Sequence, residues 1–151
     1  MNDELILRPL TEADLDAAAA LEMLSFSDHW SRDGIKAAVE NTRTGYTMGA
    51  FLNGKLAGYL IAQTVLDEGE LLRIAAAPEE RRRGIGRALL RKMLADHPET
   101  QVWRLDVRAG NEAAKKLYVS EGFTAAACNK NYYTDPREDG FLMMREAAPR
   151  A

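Results

Sequence analysis

Residues 70–87 read Glu-Leu-Leu-Arg-Ile-Ala-Ala-Ala-Pro-Glu-Glu-Arg-Arg-Arg-Gly-Ile-Gly-Arg, and this stretch indicates the fold more strongly than any other. Its first half, Glu70 to about Ala76, is typical of a strand, and Pro78 leads from it into an arginine- and glycine-rich turn. The residues that follow, from about Gly84 to Asp96, carry leucines and a methionine at helical spacing. The stretch therefore predicts a strand, a turn and a helix in succession.

The turn, Arg81 to Arg87, has the chemistry of a pyrophosphate site. A helix N-terminus offers unpaired backbone N–H groups and the positive end of the helix dipole. Gly84 and Gly86 let the backbone approach phosphate oxygens without a Cβ in the way, and the arginines add positive charge. The turn is neither a P-loop nor the GxGxxG of dinucleotide folds, since the lysine and the third glycine are missing. By itself, a solvated basic loop remains an alternative.

The chain before this stretch predicts one strand, two helices and a hairpin. The strand is Leu5 to Arg8, and Thr11 is placed to cap a helix with Leu15, Ala18, Ala19 and Met23 on one apolar face. Ser31 can cap a second helix that ends near Asn41. Asn53-Gly54 joins two β-rich runs, Tyr46–Leu52 and Leu56–Thr64, and is a strong hairpin signal.

The chain after it predicts a strand, a helix and two more strands. The strand is Val102 to Val107; Asn111 can cap a helix running to Glu121, with Gly122 at its C′ position. The last two strands, about Thr124–Lys130 and Gly140–Arg145, are expected to flank a loop that contains Tyr132-Tyr133. The order β-α-α-β-β-β-α-β-α-β-β predicts an α/β fold, a mixed sheet covered by helices, as one domain over residues 1–146 with a short tail at 147–151.

Composition narrows the function classes. The chain has 151 residues and a net charge of −3, which gives no sign of general nucleic-acid binding. Its single cysteine, Cys128, excludes an internal disulfide and is expected to be a buried, inert thiol. His29 and His97 lack metal-ligand spacing, so no metal is expected. The start shows no signal peptide and no apolar run approaches about 18 residues, which predicts a cytoplasmic protein without membrane contact.

Two motifs at a suitable separation resemble the GNAT superfamily of acetyltransferases. Arg81-x-x-Gly84-x-Gly86 matches the family's Gln/Arg-x-x-Gly-x-Gly/Ala turn, and residues 111–118 reproduce Asn-x-x-Ala-x-x-x-Tyr, followed by Gly122-Phe123. The resemblance implies the GNAT fold, acetyl-CoA as cosubstrate and no metal. It also implies three parts of an acetyl-CoA site. A strand pairs with pantetheine, a turn binds the pyrophosphate, and the asparagine of the second motif completes the set. In that order the residues are Ile74, Ala75 and Ala76; Arg81, Arg82, Arg83, Gly84, Ile85, Gly86 and Arg87; and Asn111.

Within the superfamily the whole chain resembles the RimI-type ribosomal-protein alanine N-acetyltransferases. The resemblance includes Asn131-Tyr132-Tyr133 and Arg137-Glu138-Asp139, and it implies that the acceptor is the N-terminal α-amine of a small-subunit ribosomal protein. An α-amine has a pKa of about 7.7–8.0 against about 10.4 for lysine, so it needs less help from a base. A small-molecule amine, a lysine side chain and a CoA-binding sensor without turnover are the alternatives.

Three residues are candidates for the chemistry. In the resembled motif Tyr118 is the general acid that protonates the leaving thiolate. Asp106 stands where the RimI pattern has a glutamate base, and Glu70 where histone-type relatives have theirs. Strand alternation predicts Glu70, Leu72 and Ile74 on one face. Glu70 and Asp106 are expected on neighbouring strands, where they could share the proton transfer through water.

Each of these carboxylates also has a structural alternative. Asp106 could instead pair with Arg104 or Arg108, and Glu70 could be a solvated strand-end charge. Softer candidates for acceptor recognition are five ring-bearing residues and an acidic pair: Phe26, His29, Trp30, Tyr132, Tyr133, Asp67 and Glu68. Core packing is the alternative for Phe26 and Trp30, and a solvated turn is the alternative for the acidic pair.

Overall fold

A computed structural model describes residues 4–80 and 84–147 of the chain. It shows the predicted order of strands and helices, with short 3-10 turns at Glu12–Asp14 and Pro78–Glu80. The helices are α1 (Leu15–Ser25), α2 (Arg32–Glu40), α3 (Ile85–Asp96) and α4 (Glu112–Ser120). The strands are β1 (Leu5–Arg8), β2 (Gly45–Leu52), β3 (Lys55–Val65), β4 (Glu68–Ala76), β5 (Val102–Arg108), β6 (Thr124–Thr134) and β7 (Arg137–Glu146).

All seven strands form one mixed sheet in the order β1-β2-β3-β4-β5-β7-β6. The β4–β5 pair is parallel and every other pair is antiparallel. Residues Glu68–Glu70 of β4 pair with Val102–Arg104 of β5. After these three residues, β4 and β5 form no further pairs in the described chain. The sheet is therefore open between β4 and β5 at the ends where both strands finish.

Local signals placed the Asn-Gly turn and the caps of α2 and α4 correctly. Asn53 and Gly54 both have positive φ, 53° and 79°, as the tight turn of a β-hairpin requires. Ser31 Oγ accepts a hydrogen bond from the Gly34 amide at 3.0 Å, which confirms the N-cap of α2. Asn111 caps α4 in the same way, and Gly122 follows the helix with φ 96°.

Strand β4 contains a bulge that the alternation pattern did not predict. Ile61 pairs with Arg73 and Ala62 with Leu71, so Leu72 has no partner on β3. Leu72 packs with the core under α1 and α2, whereas Ile74 packs with the core under α3 and α4. The prediction that Glu70, Leu72 and Ile74 share one face is therefore wrong, because the extra residue reverses the alternation after Leu72.

Two apolar cores cover the two faces of the sheet. The larger lies under α3 and α4 and includes Leu89, Leu90, Met93 and Trp103. The smaller lies under α1 and α2 and includes Leu15, Ile35, Tyr59 and Ile61. Helices therefore cover both faces of the sheet beside the opening between β4 and β5.

Helix α1 turns a glutamate, not a methionine, towards the sheet. Met23 is 64% exposed, while Leu21 and Glu22 are buried. Placing Met23 on the apolar face was wrong, because residue 22 lies seven positions after Leu15 and completes the i, i+3, i+4, i+7 stripe of Leu15, Ala18 and Ala19.

The last hairpin is longer than expected. Strand β6 continues through Thr134, so Tyr132 and Tyr133 lie in a strand rather than in a loop. The register skips from Asn129–Gly140 to Tyr133–Glu138, and the bulge between them, with Asn131 at φ 54°, hid this continuation from sequence patterns. Cys128 is exposed on this edge strand, so the expectation of a buried thiol was wrong.

No helix within the described residues is long and apolar enough to cross a membrane. The final strand ends at Glu146, and of the expected tail at 147–151 the structure describes Ala147 alone.

Candidate active site

The opening between β4 and β5 leads into a cavity of about 860 Å³. One wall is the second half of β4, the other is the end of β5 with the start of α4, and the N-terminus of α3 forms the far end. Of the residues predicted to bind acetyl-CoA or act in catalysis, the lining contains Ile74, Ala75, Ala76, Gly84, Ile85, Gly86, Arg87, Asp106, Asn111 and Tyr118.

The β4 wall has an unpaired backbone edge. Leu71 and Arg73 to Ala76 pair with β3 on one side, and in the described chain residues 71–76 have no ladder partner on the side of β5. An edge of free N–H and C=O groups is a template for an extended ligand. The predicted pairing of Ile74, Ala75 and Ala76 with the pantetheine arm is compatible with this edge.

The N-terminus of α3 opens directly onto the cavity. Gly84 has φ 74°, a left-handed conformation that a side chain would strain, and no described atom lies within 4 Å of the place of a Cβ. The first backbone N–H groups of α3 are thus accessible to an anion. Arg81, Arg82 and Arg83 lie outside the described residues. The parts that are described fit a pyrophosphate bound at this turn.

Tyr118 stands on α4 with its ring buried against Phe123, at 5.8 Å between ring centroids. Its ring forms part of the cavity wall, and no described residue hydrogen-bonds its hydroxyl. Burial, with a smaller contribution from Tyr133, raises the pKa of the Tyr118 phenol well above its ordinary value. The hydroxyl is therefore protonated at neutral pH, as a proton donor must be.

A second, polar pocket of about 390 Å³ adjoins the cavity. The predicted carboxylates Glu70 and Asp106 both line it, from neighbouring strands. Several residues form the boundary because they line both spaces: Asp28, Leu71, Leu72, Arg73, Asp106, Arg108 and Tyr133. Asp106 thus borders both chambers, whereas Glu70 faces the polar pocket and Tyr118 faces the cavity.

The structural alternative for Asp106 is wrong. Arg104 pairs with Glu68 at 3.4 Å and Arg108 with Glu138 at 3.3 Å. Asp106 is exposed and accepts a hydrogen bond from the Tyr132 hydroxyl at 3.3 Å. The carboxylate is consequently available to a ligand in the polar pocket.

Glu70 is half-buried, which does not match the alternative of a solvated strand-end charge. Its Oε1 accepts a hydrogen bond from Gln63 Nε2 at 3.0 Å. This contact to the adjacent strand β3 orients the carboxylate without neutralising it.

Two tyrosines of β6 form the outer wall of the polar pocket. Tyr132 and Tyr133 contact each other edge to face at 5.0 Å, and the guanidinium of Arg108 lies over the Tyr133 ring at 4.3 Å. The charge of Asp106 raises the pKa of Tyr132, and burial raises that of Tyr133 to about 12. Both phenols are neutral at physiological pH and can donate hydrogen bonds.

Arg108 ties the tip of the last hairpin to the body of the protein. Its guanidinium donates to the carbonyl oxygens of Asp135, at 3.0 Å, and Pro136, at 2.9 Å. Ser27, in the α1–α2 segment, also donates to the Asp135 carbonyl. The hairpin and the α1–α2 segment therefore meet across the mouth of both pockets.

Only some of the remaining candidates for acceptor recognition line one of the two pockets. Phe26 lines the cavity, whereas Trp30 and His29 are not among the described lining residues of either space. Asp67 and Glu68 are exposed in the β3–β4 turn region, where the Asp67 carbonyl accepts from the Gln101 amide at 2.7 Å. Asp67 therefore lies in a solvated turn, whereas Glu68 begins β4 and pairs with Arg104.

Sequence reasoning missed Glu22 and Arg73. Glu22 is fully buried and forms an ion pair with Arg73, which lines both pockets. The signal was present in the sequence, because a glutamate that completes an apolar helical stripe needs a buried partner.

The site combines an open strand edge, a helix N-terminus beside it and a buried tyrosine that faces the gap. Comparison with known proteins assigns the chain to a family. Residues 14–123 match the Acetyltransferase (GNAT) family. The chain belongs to this family and is an N-acetyltransferase, and members of the family use acetyl-CoA.

The more specific resemblance is also confirmed. The chain is 40% identical over 140 residues to the ribosomal protein bS18-alanine N-acetyltransferase of Escherichia coli K12, covering 89% of this chain and 92% of that protein. It is 34% identical over 144 residues to the N-alpha-acetyltransferase RimI of Mycobacterium tuberculosis, covering 91% and 90%. The crystal structure of the ribosomal-protein-S18-alanine N-acetyltransferase from Escherichia coli superposes with a TM-score of 0.89, at 34% identity and with 98% and 97% of the two chains covered.

Proposed function

We propose that this enzyme acetylates the N-terminal α-amine of an alanine on a small-subunit ribosomal protein, in the cytoplasm. The observation that carries the proposal is the pair of adjoining chambers, one with a buried tyrosine and an open strand edge, the other with two carboxylates and two tyrosines. Relatives with this specificity match the chain over nearly its full length.

Acetyl-CoA supplies the activated acetyl thioester. The residues suited to hold it are the β4 edge at Ile74, Ala75 and Ala76, the amides from Gly84 to Arg87, and Arg81 to Arg83 by resemblance. Asn111 supports the site indirectly, since its side chain accepts from the Ala114 amide at 3.2 Å and fixes the first turn of α4. That turn starts the helix on which Tyr118 stands.

The chemistry needs one base and one acid. Asp106 and Glu70 face the polar pocket, where either carboxylate can take a proton from the acceptor's ammonium group, directly or through water. Tyr118 faces the neighbouring cavity with its proton in place and donates it to the departing sulfur. A backbone N–H of β4, that of Ala75 for example, can polarise the carbonyl oxygen.

The assignment of Tyr118 as the acid and Asp106 as a base follows from the different surroundings of the two side chains. The buried Tyr118 retains its proton because an anion there would lack solvation. Asp106 is exposed, so its carboxylate is open to an acceptor amine or to a bridging water. An α-amine of pKa about 7.7–8.0 is already partly neutral at pH 7, so a weak carboxylate base suffices.

Thiol release with two peptides tests the proposal. One peptide begins Ala-Arg with a free amine, and its matched copy is blocked at the N-terminus and contains an internal lysine. Turnover of the first alone is expected. Turnover of the blocked copy would show a lysine acetyltransferase, and turnover of neither would leave a small-molecule amine as the acceptor; both results contradict the proposal.

A further inference from the structure

Glu22 is the most deeply buried charged group in the described chain and touches neither pocket itself. Its side chain is 0% exposed within the core under α1 and α2. Its oxygens accept from the Tyr59 hydroxyl, from both ends of the Arg73 guanidinium, with Nε at 3.3 Å, and from the backbone amide of Trp30 at 2.7 Å. A buried carboxylate with this many charged and polar donors connects β3, β4 and the segment after α1.

Arg73 carries this network to the boundary between the two chambers. Its side chain is 12% exposed and lines both pockets, immediately after the bulge residue Leu72. The guanidinium lies over the ring of Phe26 at 3.8 Å, with Glu22 as its ion-pair partner. A cation is thus held at the boundary between the two chambers.

The same network fixes both ends of the segment 26–30. Phe26 is held by stacking on Arg73, and the amide of Trp30 is held by Glu22. Between them Ser27 contacts the last hairpin and Asp28 lines both pockets. The acceptor-side wall formed by this segment therefore depends on one buried carboxylate.

We propose that Glu22 is a positioning residue for acceptor binding, which acts through Arg73 and the Trp30 amide. It balances the charge of Arg73 at the chamber boundary and orders residues 26–30, so that a cationic amine meets an ordered wall in which the charge of Arg73 is compensated. Its loss would leave Arg73 unpaired, repelling an ammonium group and releasing Phe26. The part concerning the acceptor rests on the proposed function, whereas the ordering of residues 26–30 does not.

The chain provides a matched control. Asp14 also pairs with an arginine, Arg8 at 2.8 Å, and that guanidinium also lies over an aromatic ring, Phe51 at 3.9 Å. Asp14 is buried at 8% exposure, yet neither Asp14 nor Arg8 is among the described residues that line the two pockets. Asp14→Asn therefore removes a buried carboxylate from its ion pair with the more exposed Arg8, without touching the acceptor wall.

The test compares Glu22→Gln with Asp14→Asn in steady-state kinetics. For Glu22→Gln we expect KM for the free-amine peptide to rise about tenfold, while KM for acetyl-CoA changes less than about twofold. For Asp14→Asn we expect both KM values to stay at the wild-type level, while Tm falls by an amount comparable to that in Glu22→Gln. A Glu22→Gln enzyme that loses kcat alone, or whose two KM values rise together, would overturn the inference.

Hydrogen exchange gives a measurement that needs no turnover. Amides of residues 26–30 are expected to exchange severalfold faster in Glu22→Gln than in the wild type and in Asp14→Asn. Arg73→Lys keeps the charge but cannot make both guanidinium contacts, so its exchange rates are expected to lie between those of the wild type and Glu22→Gln. This variant replaces Glu22→Gln in the test if Glu22→Gln folds poorly. Unchanged exchange in both variants would overturn the inference, while a wild type that fails to acetylate the peptide would instead overturn the proposed acceptor.

Discussion

The Tyr132 hydroxyl reaches Asp106 Oδ2 at 3.3 Å although β7 lies between their strands. Two features of the hairpin permit this contact. The bulge after Asn129 turns Tyr132 towards β5, and Gly140 of β7 leaves space for the rings, since a Cβ there would lie 3.0 Å from both Tyr132 and Tyr133. The tyrosine wall of the polar pocket therefore depends on a glycine of β7, the strand next to β6.

Gly140→Ala is expected to disturb the acceptor side selectively. The new methyl group must displace the tyrosine rings by a few tenths of an ångström, which loosens the hydrogen bond to Asp106. We expect a severalfold rise in KM for the peptide and no change for acetyl-CoA. Gly34→Ala is the control, since its Cβ would meet nothing closer than 3.5 Å. Equal effects of the two variants would contradict this role of Gly140.

Tyr118→Phe is expected to lower kcat by about 10²–10⁴, the range typical of general acids and bases. Acetyl-CoA affinity, measured by calorimetry, should stay close to that of the wild type because the ring and its packing on Phe123 remain. Tyr46→Phe removes a hydroxyl that donates to Asp96 at 2.7 Å, and should leave kcat unchanged. A Tyr118→Phe enzyme with wild-type kcat would exclude the phenol as proton donor.

The two carboxylates are distinguished by the pH dependence of their variants. Asp106→Asn and Glu70→Gln are each expected to lower kcat/KM at pH 7, where only about a tenth of an α-amine is neutral. The deficit should shrink as pH rises past about 8, because a neutral amine needs no base. The variant with the larger and more pH-dependent loss identifies the principal base.

Glu68→Gln is the matched control for those variants. Glu68 lies on the same strand as Glu70 and pairs with Arg104 at 3.4 Å, outside the polar pocket's described lining. Its profile should overlay that of the wild type. If the deficits of Asp106→Asn and Glu70→Gln stayed constant up to pH 9.5, both carboxylates would be binding groups and not bases.

Asp14 is expected to make folding stability depend on pH. The Arg8 guanidinium, helped by the Thr11 amide, lowers the pKa of the Asp14 carboxyl below its unfolded value. A lowered folded-state pKa contributes stability above the unfolded pKa of about 3.9, and this contribution is lost as pH falls through the folded-state pKa. Asp14→Asn should cost about 1–2 kcal/mol of unfolding free energy at pH 7. In urea titrations the difference from the wild type should narrow below about pH 4, and a difference independent of pH would contradict the assignment.

Much of the fold was predictable because its signals are local. Asn53-Gly54 needs positive φ at two successive residues, and Ser31 and Asn111 offer side-chain acceptors at helix starts. Neighbouring residues alone determine such features. Tyr118 was likewise predicted as a site residue from its motif, and the cavity wall includes it.

The features that escaped prediction depend on distant partners. The bulge at Leu72 exists relative to β3, and the continuation of β6 through Tyr133 depends on Gly140 and on Asp139, whose Oδ1 accepts from the Asn131 amide at 2.8 Å. Neither leaves a local pattern. Glu22 could have been found, since it stands in the apolar stripe of α1, but its partner Arg73 is 51 residues away.

The position of the acetyl group on a single peptide tests the central claim most directly. A peptide that begins Ala-Arg and contains one internal lysine offers both amines to the enzyme at equal concentration, and fragmentation mass spectrometry after partial turnover locates the product. We predict an acetyl group on the alanine α-nitrogen and an unmodified lysine. Acetylation of the lysine Nζ, with the α-amine left free, would contradict the account.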